Sequence, residues 1–269
     1  PLLAVARDAA AAAVGVHRTH VGHVDIEQWT EKGTSDFVTH VDHEAEAEIV
    51  SRIRSAFPDH AILAEEAASM EPRTDTAVGG SGWTWIVDPL DGTTNFLHSY
   101  PMYGVSIAAS FNGVLQVGLV QNSVTDELWH ATRNGGAFRN GRPIQVSGME
   151  ALRRSLIGTG FPFKALDLLP RYLVQFDRVL RNSSGIRRAG SAALDLCHVA
   201  TGFFDGFWEL ALQPWDIAAG TLIVREAGGI VTTIDGDENV VKTGSVLAGN
   251  AAIHEALAAL LRGETTCER

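Results

Sequence analysis

The sequence predicts a fold of mixed α+β and α/β class, and three observations lead there. Apolar residues recur at helical spacing near both ends of the chain. A central block places Asn-Gly pairs between β-branched runs, the mark of hairpins in an antiparallel sheet. Past Arg153, short apolar runs alternate with helical stretches.

Residues 2–20 carry Leu3, Val5, Ala6, Ala9, Ala10, Ala13 and Val14 at the spacing of an amphipathic helix. His17, His20 and His23 follow three residues apart. No carboxylate pattern or cysteine accompanies them, so they read as a solvated helix end rather than a metal site. Residues 31–36 are a turn-rich polar break. A second helix then runs to about residue 57, because Val41, Ala45, Ile49 and Ile53 repeat every four residues. Asp42 lies in its first turn, where a carboxylate complements the helix dipole. Residues 61–64 are a short buried strand ending in Glu65-Glu66. Strand alternation would turn one of these carboxylates inward and the other outward. The polar stretch 67–82, with Pro72 and Gly79-Gly80-Ser81-Gly82, reads as a mobile loop.

The aromatic and β-branched run 83–87 is a buried strand. Residues 103–111 and 114–120 form a hairpin around Asn112-Gly113, and Asn134-Gly135 and Asn140-Gly141 flank a further short strand. Strands follow at 155–159, 186–188, 203–210, 230–234 and 246–247. Helices are predicted at 166–180, from a Ser191 N-cap through about 201, from Trp215 through 227 with Gly228-Gly229 closing it, and at 251–261. A boundary near 145–155 divides the chain into 1–150, an α+β half, and 151–269, an α/β half, which need not fold independently.

The chain has 269 residues, 45% of them hydrophobic, enough for a large core. It contains no apolar run of membrane-spanning length and no stretch with a basic start and long apolar centre. The formal net charge of −11 argues against a nucleic-acid surface. Cys197 and Cys267 are the only cysteines, too few for a disulfide framework and without zinc spacing. A reducing, cytoplasmic setting fits best.

The chemistry concentrates at residues 88–95, which read Asp-Pro-Leu-Asp-Gly-Thr-Thr-Asn. Pro89 stops regular strand pairing, Gly92 allows a sharp turn, and Thr93-Thr94 stand at a helix entry. Two carboxylates at a strand end would lie beside free helix-start N–H groups. Carboxylates collect hard cations and such N–H groups collect phosphate, so the stretch could hold a metal-bridged phosphate ester. An Asx-turn followed by a helix cap is the alternative reading. Glu65-Glu66 and Asp216 are further acidic groups at element ends.

Taken together, Ala64-Glu-Glu66, Trp85-Ile-Val-Asp-Pro-Leu-Asp-Gly-Thr-Thr-Asn95, Gly190-Ser-Ala-Ala193 and Trp215-Asp-Ile-Ala-Ala-Gly220 resemble the inositol monophosphatase family, a group of magnesium-dependent, lithium-sensitive phosphatases. The resemblance implies a layered αβαβα sandwich, shared with fructose-1,6-bisphosphatase, and a homodimer. It implies two to three Mg²⁺ per site. Glu65, Asp88 and the Leu90 carbonyl would hold the first, Asp88, Asp91 and Asp216 the second, and a weaker third would sit beside Glu65. Glu65, Thr93 and Asp42 would orient the attacking water. The backbone N–H groups of Gly92, Thr93 and Thr94 would hold phosphate oxygens, Gly190, Ser191, Ala192 and Glu209 would meet the alcohol, and Asp91 counts among the substrate-binding residues as well as the metal ligands. Lys32 resembles a basic residue on a mobile N-terminal hairpin. Trp215, taken alone, reads as an ordinary core aromatic.

The expected activity is Mg²⁺-dependent hydrolysis of inositol monophosphate by activated water. Thr94 followed by Asn95 favours the inositol branch over those acting on histidinol phosphate or adenosine 3′,5′-bisphosphate, which more often place Lys at this position. Fructose 1,6-bisphosphate is a further alternative substrate. Some bacterial relatives are thought to act through RNA polymerase or ribosome-maturation factors, so a regulatory binding protein is the alternative of a different class. A small phosphate monoester is the expected partner, with neither nucleic acid nor membrane.

Overall fold

The computed structural model describes residues 1–24, 29–33, 36–68 and 82–264. The chain opens with α1 (Leu2–His20), the paired strands β1 (Thr30–Gly33) and β2 (Asp36–Val38), and α2 (His40–Ala56). A capping box starts α2: the Thr39 hydroxyl accepts from the Val41 N–H, and the Asp42 carboxylate accepts from the Thr39 N–H at 2.8 Å. β3 (Ala61–Ala64) passes directly into α3, described over Glu65–Ala68. Next come β4 (Trp83–Asp91), α4 (Thr93–Leu97), β5 (Gly104–Phe111), β6 (Val114–Asn122), β7 (Leu128–Thr132), β8 (Ala137–Arg139) and β9 (Arg142–Pro143). These strands form one sheet in the order β3-β4-β5-β6-β7-β8-β9. β3 and β4 pair parallel and the other neighbours antiparallel.

The remaining elements are β10 (Leu156–Thr159), α5 (Leu169–Asn182), β11 (Gly185–Arg187), α6 (Ala192–Ala200), β12 (Gly206–Glu209), α7 (Pro214–Glu226), β13 (Ile230–Thr232), α8 (Val240–Thr243), β14 (Val246–Gly249) and α9 (Ala251–Arg262). A second sheet has the order β11-β10-β12-β14-β13. β10 runs parallel to both its neighbours, whereas β14 is antiparallel to β12 and β13.

The layers follow from which faces are apolar. α1 and α2 cover one face of the first sheet; α6 and α7 lie between the sheets; α5 and α9 cover the far face of the second. This is the expected αβαβα sandwich. Three apolar cores fill the three kinds of space. The outer one sets Ala6, Ala9, Ala10 and Ala13 of α1 against Val41, Ala45, Ile49 and Ile53 of α2, all fully buried. The alanine stripe lets two helices and a sheet approach closely. Each fully buried Val or Ile contributes about 1.5–3 kcal/mol. The middle core joins Leu63, Ile86, Val120 and Trp129 to Leu194, Phe207, Ile217 and Val246, so it is shared across the 150/151 division. The third sets Ile157 and Trp208 against Tyr172, Ile253 and Leu257. No helix among the described residues is long and apolar enough to cross a membrane.

Several local expectations change. His17 is no solvated helix end: it is 0% exposed, with Nδ1 2.8 Å from the Ser123 hydroxyl and its ring against Phe96 and Tyr103. His23 is exposed and His20 half-buried, as a solvated end would have them. Glu65 and Glu66 open a helix turn rather than ending a strand, so strand alternation does not decide their directions. β4 continues past Pro89, through an irregularity between Asp88 and Asp91. β7 and α8 are additional elements. The strand expected from residue 203 starts at Gly206, because the N–H groups of Phe203 and Phe204 both donate to the His198 carbonyl in a turn. Most of the loop expected at 67–82, the Lys32 side chain and Cys267 lie outside the described residues.

Candidate active site

β4 delivers the acidic stretch. Asp88 still pairs with Ser106 on β5, and Asp91 pairs with Gly104; between them Pro89, which has no N–H, sits in the irregularity. The Leu90 N–H folds back onto Asp88 Oδ1 at 2.9 Å. Gly92 has φ +92°, and a Cβ there would lie 2.8 Å from the Met102 carbonyl, so both conformation and space demand glycine. Gly92 caps α4, and its carbonyl accepts from the Phe96 N–H. The Thr93 hydroxyl lies 3.1 Å from Asp42 Oδ1 and 3.1 Å from the Leu90 carbonyl, donating to one or the other.

Other elements meet this strand end. The Ser191 hydroxyl and the Ala193 N–H, at the start of α6, donate to Asp91 Oδ2 at 2.6 and 2.8 Å. Asp216, in the first turn of α7, accepts from the Gln213 N–H at 2.7 Å. The Ser106 hydroxyl donates to the Trp215 carbonyl at 3.0 Å and pins α7 to the first sheet. Asn95 ties the two sides together: its Nδ2 donates to the Met102 carbonyl at 2.6 Å and the Ala189 carbonyl at 2.9 Å.

These elements surround a cavity of about 410 Å³. Glu65, Asp88, Leu90, Asp91 and Gly92 to Thr94 line it together with Asp216, which is close enough to Asp88 to hydrogen-bond it, and Gly190 and Glu209 complete this part of the lining. Three expected site residues stand behind the wall instead. Asp42 is buried and reaches the cavity only through Thr93; Ser191 is buried beneath Asp91; Ala192 is buried at the start of α6.

The sequence reading missed a further wall, Phe161 to Lys164 with Arg188 and Ala211. Lys164 Nζ lies 4.0 Å from Glu65 Oε1, and the Arg188 guanidinium lies over the rings of Phe161 and Phe163. Gly160, just before this wall, is occupied in a special way: a Cβ there would fall 1.9 Å from Glu209 Oε1. The signal available was a Gly-Phe-Pro-Phe-Lys run directly after a strand.

The electrostatics are those of acids crowded around one cavity. Burial pushes Asp88 well above the usual carboxylate range, and the charges of Glu65, Asp91 and Asp216 push it the same way. Burial also raises Asp91, against the hydrogen bonds from Ser191 and Ala193. Asp216 is pushed up to about 7, first by burial and then by Asp91. Glu209 is pushed up to about 8 by burial, with Arg188 opposing.

A hard divalent cation fits this donor set, since it would offset the crowded charge and takes oxygen ligands. Glu65, Asp88, Asp91, Asp216 and the Leu90 carbonyl are all oxygen donors on one cavity. Among the described residues no three acidic, His or Cys side chains already surround a single point. The fit is therefore one of chemistry and charge, Asp88, Asp91 and Asp216 each having turned one oxygen onto a protein N–H.

Comparison with known proteins agrees with this arrangement. The sequence profile of the inositol monophosphatase family matches residues 1–266. The Nus factor SuhB of Pseudomonas aeruginosa is 42% identical, over 96% of this chain and 94% of its own. Among solved structures, the extragenic suppressor protein suhB from Bartonella henselae superposes with a TM-score of 0.89 at 40% identity, covering 97% of this chain and 98% of its own. The inositol monophosphatase from Anabaena (Nostoc) does so with a TM-score of 0.83 at 38% identity, covering 99% and 96%. By profile, sequence and fold alike, the chain belongs to the inositol monophosphatase family.

Proposed function

We propose that this chain is a Mg²⁺-dependent phosphomonoesterase that hydrolyses inositol monophosphate to inositol and phosphate. One observation carries the reading: Glu65, Asp88, Asp91 and Asp216, with Leu90 and the helix start at Gly92 to Thr94, line one cavity together with Glu209. Glu65, Asp88, Asp91, Asp216 and the Leu90 carbonyl would hold two to three Mg²⁺. Bound Mg²⁺ supplies positive charge to the phosphoryl oxygens and makes a neighbouring water more acidic. The chain's own residues do the rest. The N–H groups of Gly92, Thr93 and Thr94 bind phosphate oxygens. Thr93, held by Asp42, orients the attacking water together with Glu65. Glu209 accepts from neighbouring hydroxyls of the alcohol, which suits a polyol. Ser191 acts by fixing Asp91. A homodimer, a cytoplasmic setting and lithium sensitivity belong to the same reading.

The Pseudomonas relative's name supports a second reading, in which this chain acts as a Nus factor through a partner in the transcription machinery. The two are compatible, because a partner surface need not use the cavity. The deciding measurement is phosphate release, with and without Mg²⁺, from myo-inositol 1-phosphate, glycerol 2-phosphate, histidinol phosphate, fructose 1,6-bisphosphate and adenosine 3′,5′-bisphosphate. Mg²⁺-dependent release, fastest from the inositol ester, is expected. No Mg²⁺-dependent release from any of them, with a metal-site variant still functional in cells, would favour the regulatory reading.

A further inference from the structure

We infer that Glu46 is a positioning residue that fixes Glu65 by capping, from a neighbouring helix, the turn that carries it. Glu46 lies on α2 one turn beyond Asp42, so both point from the same helix face. It is a buried acid that no step above uses, 8% exposed. Its two oxygens are both engaged: Oε2 accepts from the Glu66 N–H at 2.7 Å and Oε1 from the Ala67 N–H at 3.0 Å.

The physical need is plain. The described part of α3 is Glu65 to Ala68. The first N–H groups of any helix have no partner within it, and those of Glu66 and Ala67 are among them. A carboxylate that accepts from two of them holds the turn by charge-assisted hydrogen bonds. That fixes the backbone from which the Glu65 side chain projects toward the cavity. Asp42 performs the parallel task for Thr93. One face of α2 thereby sets two cavity groups that come from different elements. Glutamine would not substitute, because its NH₂ would face an N–H where the second oxygen now accepts.

The inference rests on Glu65 being a Mg²⁺ ligand, and the experiment separates the two ideas. Mg²⁺ binding is measured by isothermal titration calorimetry on wild type, Glu46→Gln, Glu65→Gln and the double variant. Amide hydrogen exchange is followed at residues 66 and 67. Glu46→Gln should weaken Mg²⁺ binding about tenfold or more, in the range of residues that orient metal ligands. Exchange should quicken at 66 and 67 and stay unchanged at Ile49 and Ile53. In the Glu65→Gln background the second change should add little, since Glu46 acts through Glu65. Glu46→Asp, which keeps the charge but draws back by one methylene, should loosen the same two amides and serves if Glu46→Gln does not fold. Wild-type binding and exchange in whichever variant folds would overturn the inference, as would equal losses in both backgrounds. If wild type itself binds no Mg²⁺, the metal reading falls, and this inference with it.

Discussion

His17 should make this protein lose stability as the solution is acidified, in a way one substitution can isolate. The imidazole is fully buried in α1, and burial lowers its pKa from 6.5 to about 3, partly offset by the nearby Pro89 carbonyl. The unfolded chain therefore takes up this proton near pH 6.5, while the folded chain resists until about pH 3. Its stability contribution is present above the unfolded pKa and falls as pH drops below it, by about 1.4 kcal/mol per pH unit. Between pH 7.5 and 4.5 the loss is about 2.5 kcal/mol from this group alone. In His17→Asn the amide can still reach Ser123 but does not titrate. That variant should be less stable than wild type at pH 7.5, because ring packing on Phe96 and Tyr103 is lost. The informative quantity is the difference between the two proteins' pH dependences. Urea unfolding at both pH values, with chelator throughout, measures it; the cavity acids titrate in both proteins and cancel. Parallel pH dependences would refute the reasoning.

The remaining expectations concern the cavity. Asp88→Asn should reduce Mg²⁺-dependent phosphate release to background while far-UV circular dichroism stays that of wild type; near-normal turnover would remove Asp88 as a shared ligand. Gly160→Ala should displace the Glu209 carboxylate, raising KM for inositol 1-phosphate more than for glycerol 2-phosphate, with the Mg²⁺ requirement unchanged. Glu209→Gln should show the same pattern, and an unchanged KM across substrates in both variants would count against a role in alcohol recognition. Ala211 lines the cavity at φ 61°, where a Cβ is strained, so Ala211→Gly should raise the urea midpoint by up to about 1 kcal/mol of stability. A lower midpoint would show that the strain is not relieved.

Much of this was legible wherever a local rule had no competitor. The Val41, Ala45, Ile49 and Ile53 repeat predicts a buried helix face, and all four are fully buried. Gly92 followed by Thr93-Thr94 reads as a turn and helix entry, and α4 starts at Thr93, although the strand before it runs on to Asp91 instead of stopping at Pro89. What failed depended on residues far away in the chain. His17 looked solvated because nothing near it in sequence shows that Ser123 and Tyr103 will cover it. Glu65-Glu66 looked like a strand end because Glu46, which stabilises a turn there, lies twenty residues upstream. Lys164 and Arg188 could not be placed on the cavity until β10, β11 and β12 were known to be neighbours. The bond from the Ser191 hydroxyl to Asp91, a hundred residues away, is likewise invisible in the local sequence.

Asn95 has a consequence for how the cavity measures its ligand. One primary amide spans two carbonyls, from Met102 beside the Gly92 turn and from Ala189 beside Gly190. The gap between the two is thus locked like the jaws of a caliper, at a width set by a single planar group. A ligand cannot widen it without breaking at least one of these bonds. Size discrimination among ring alcohols would then be a property of the resting protein, present before anything binds.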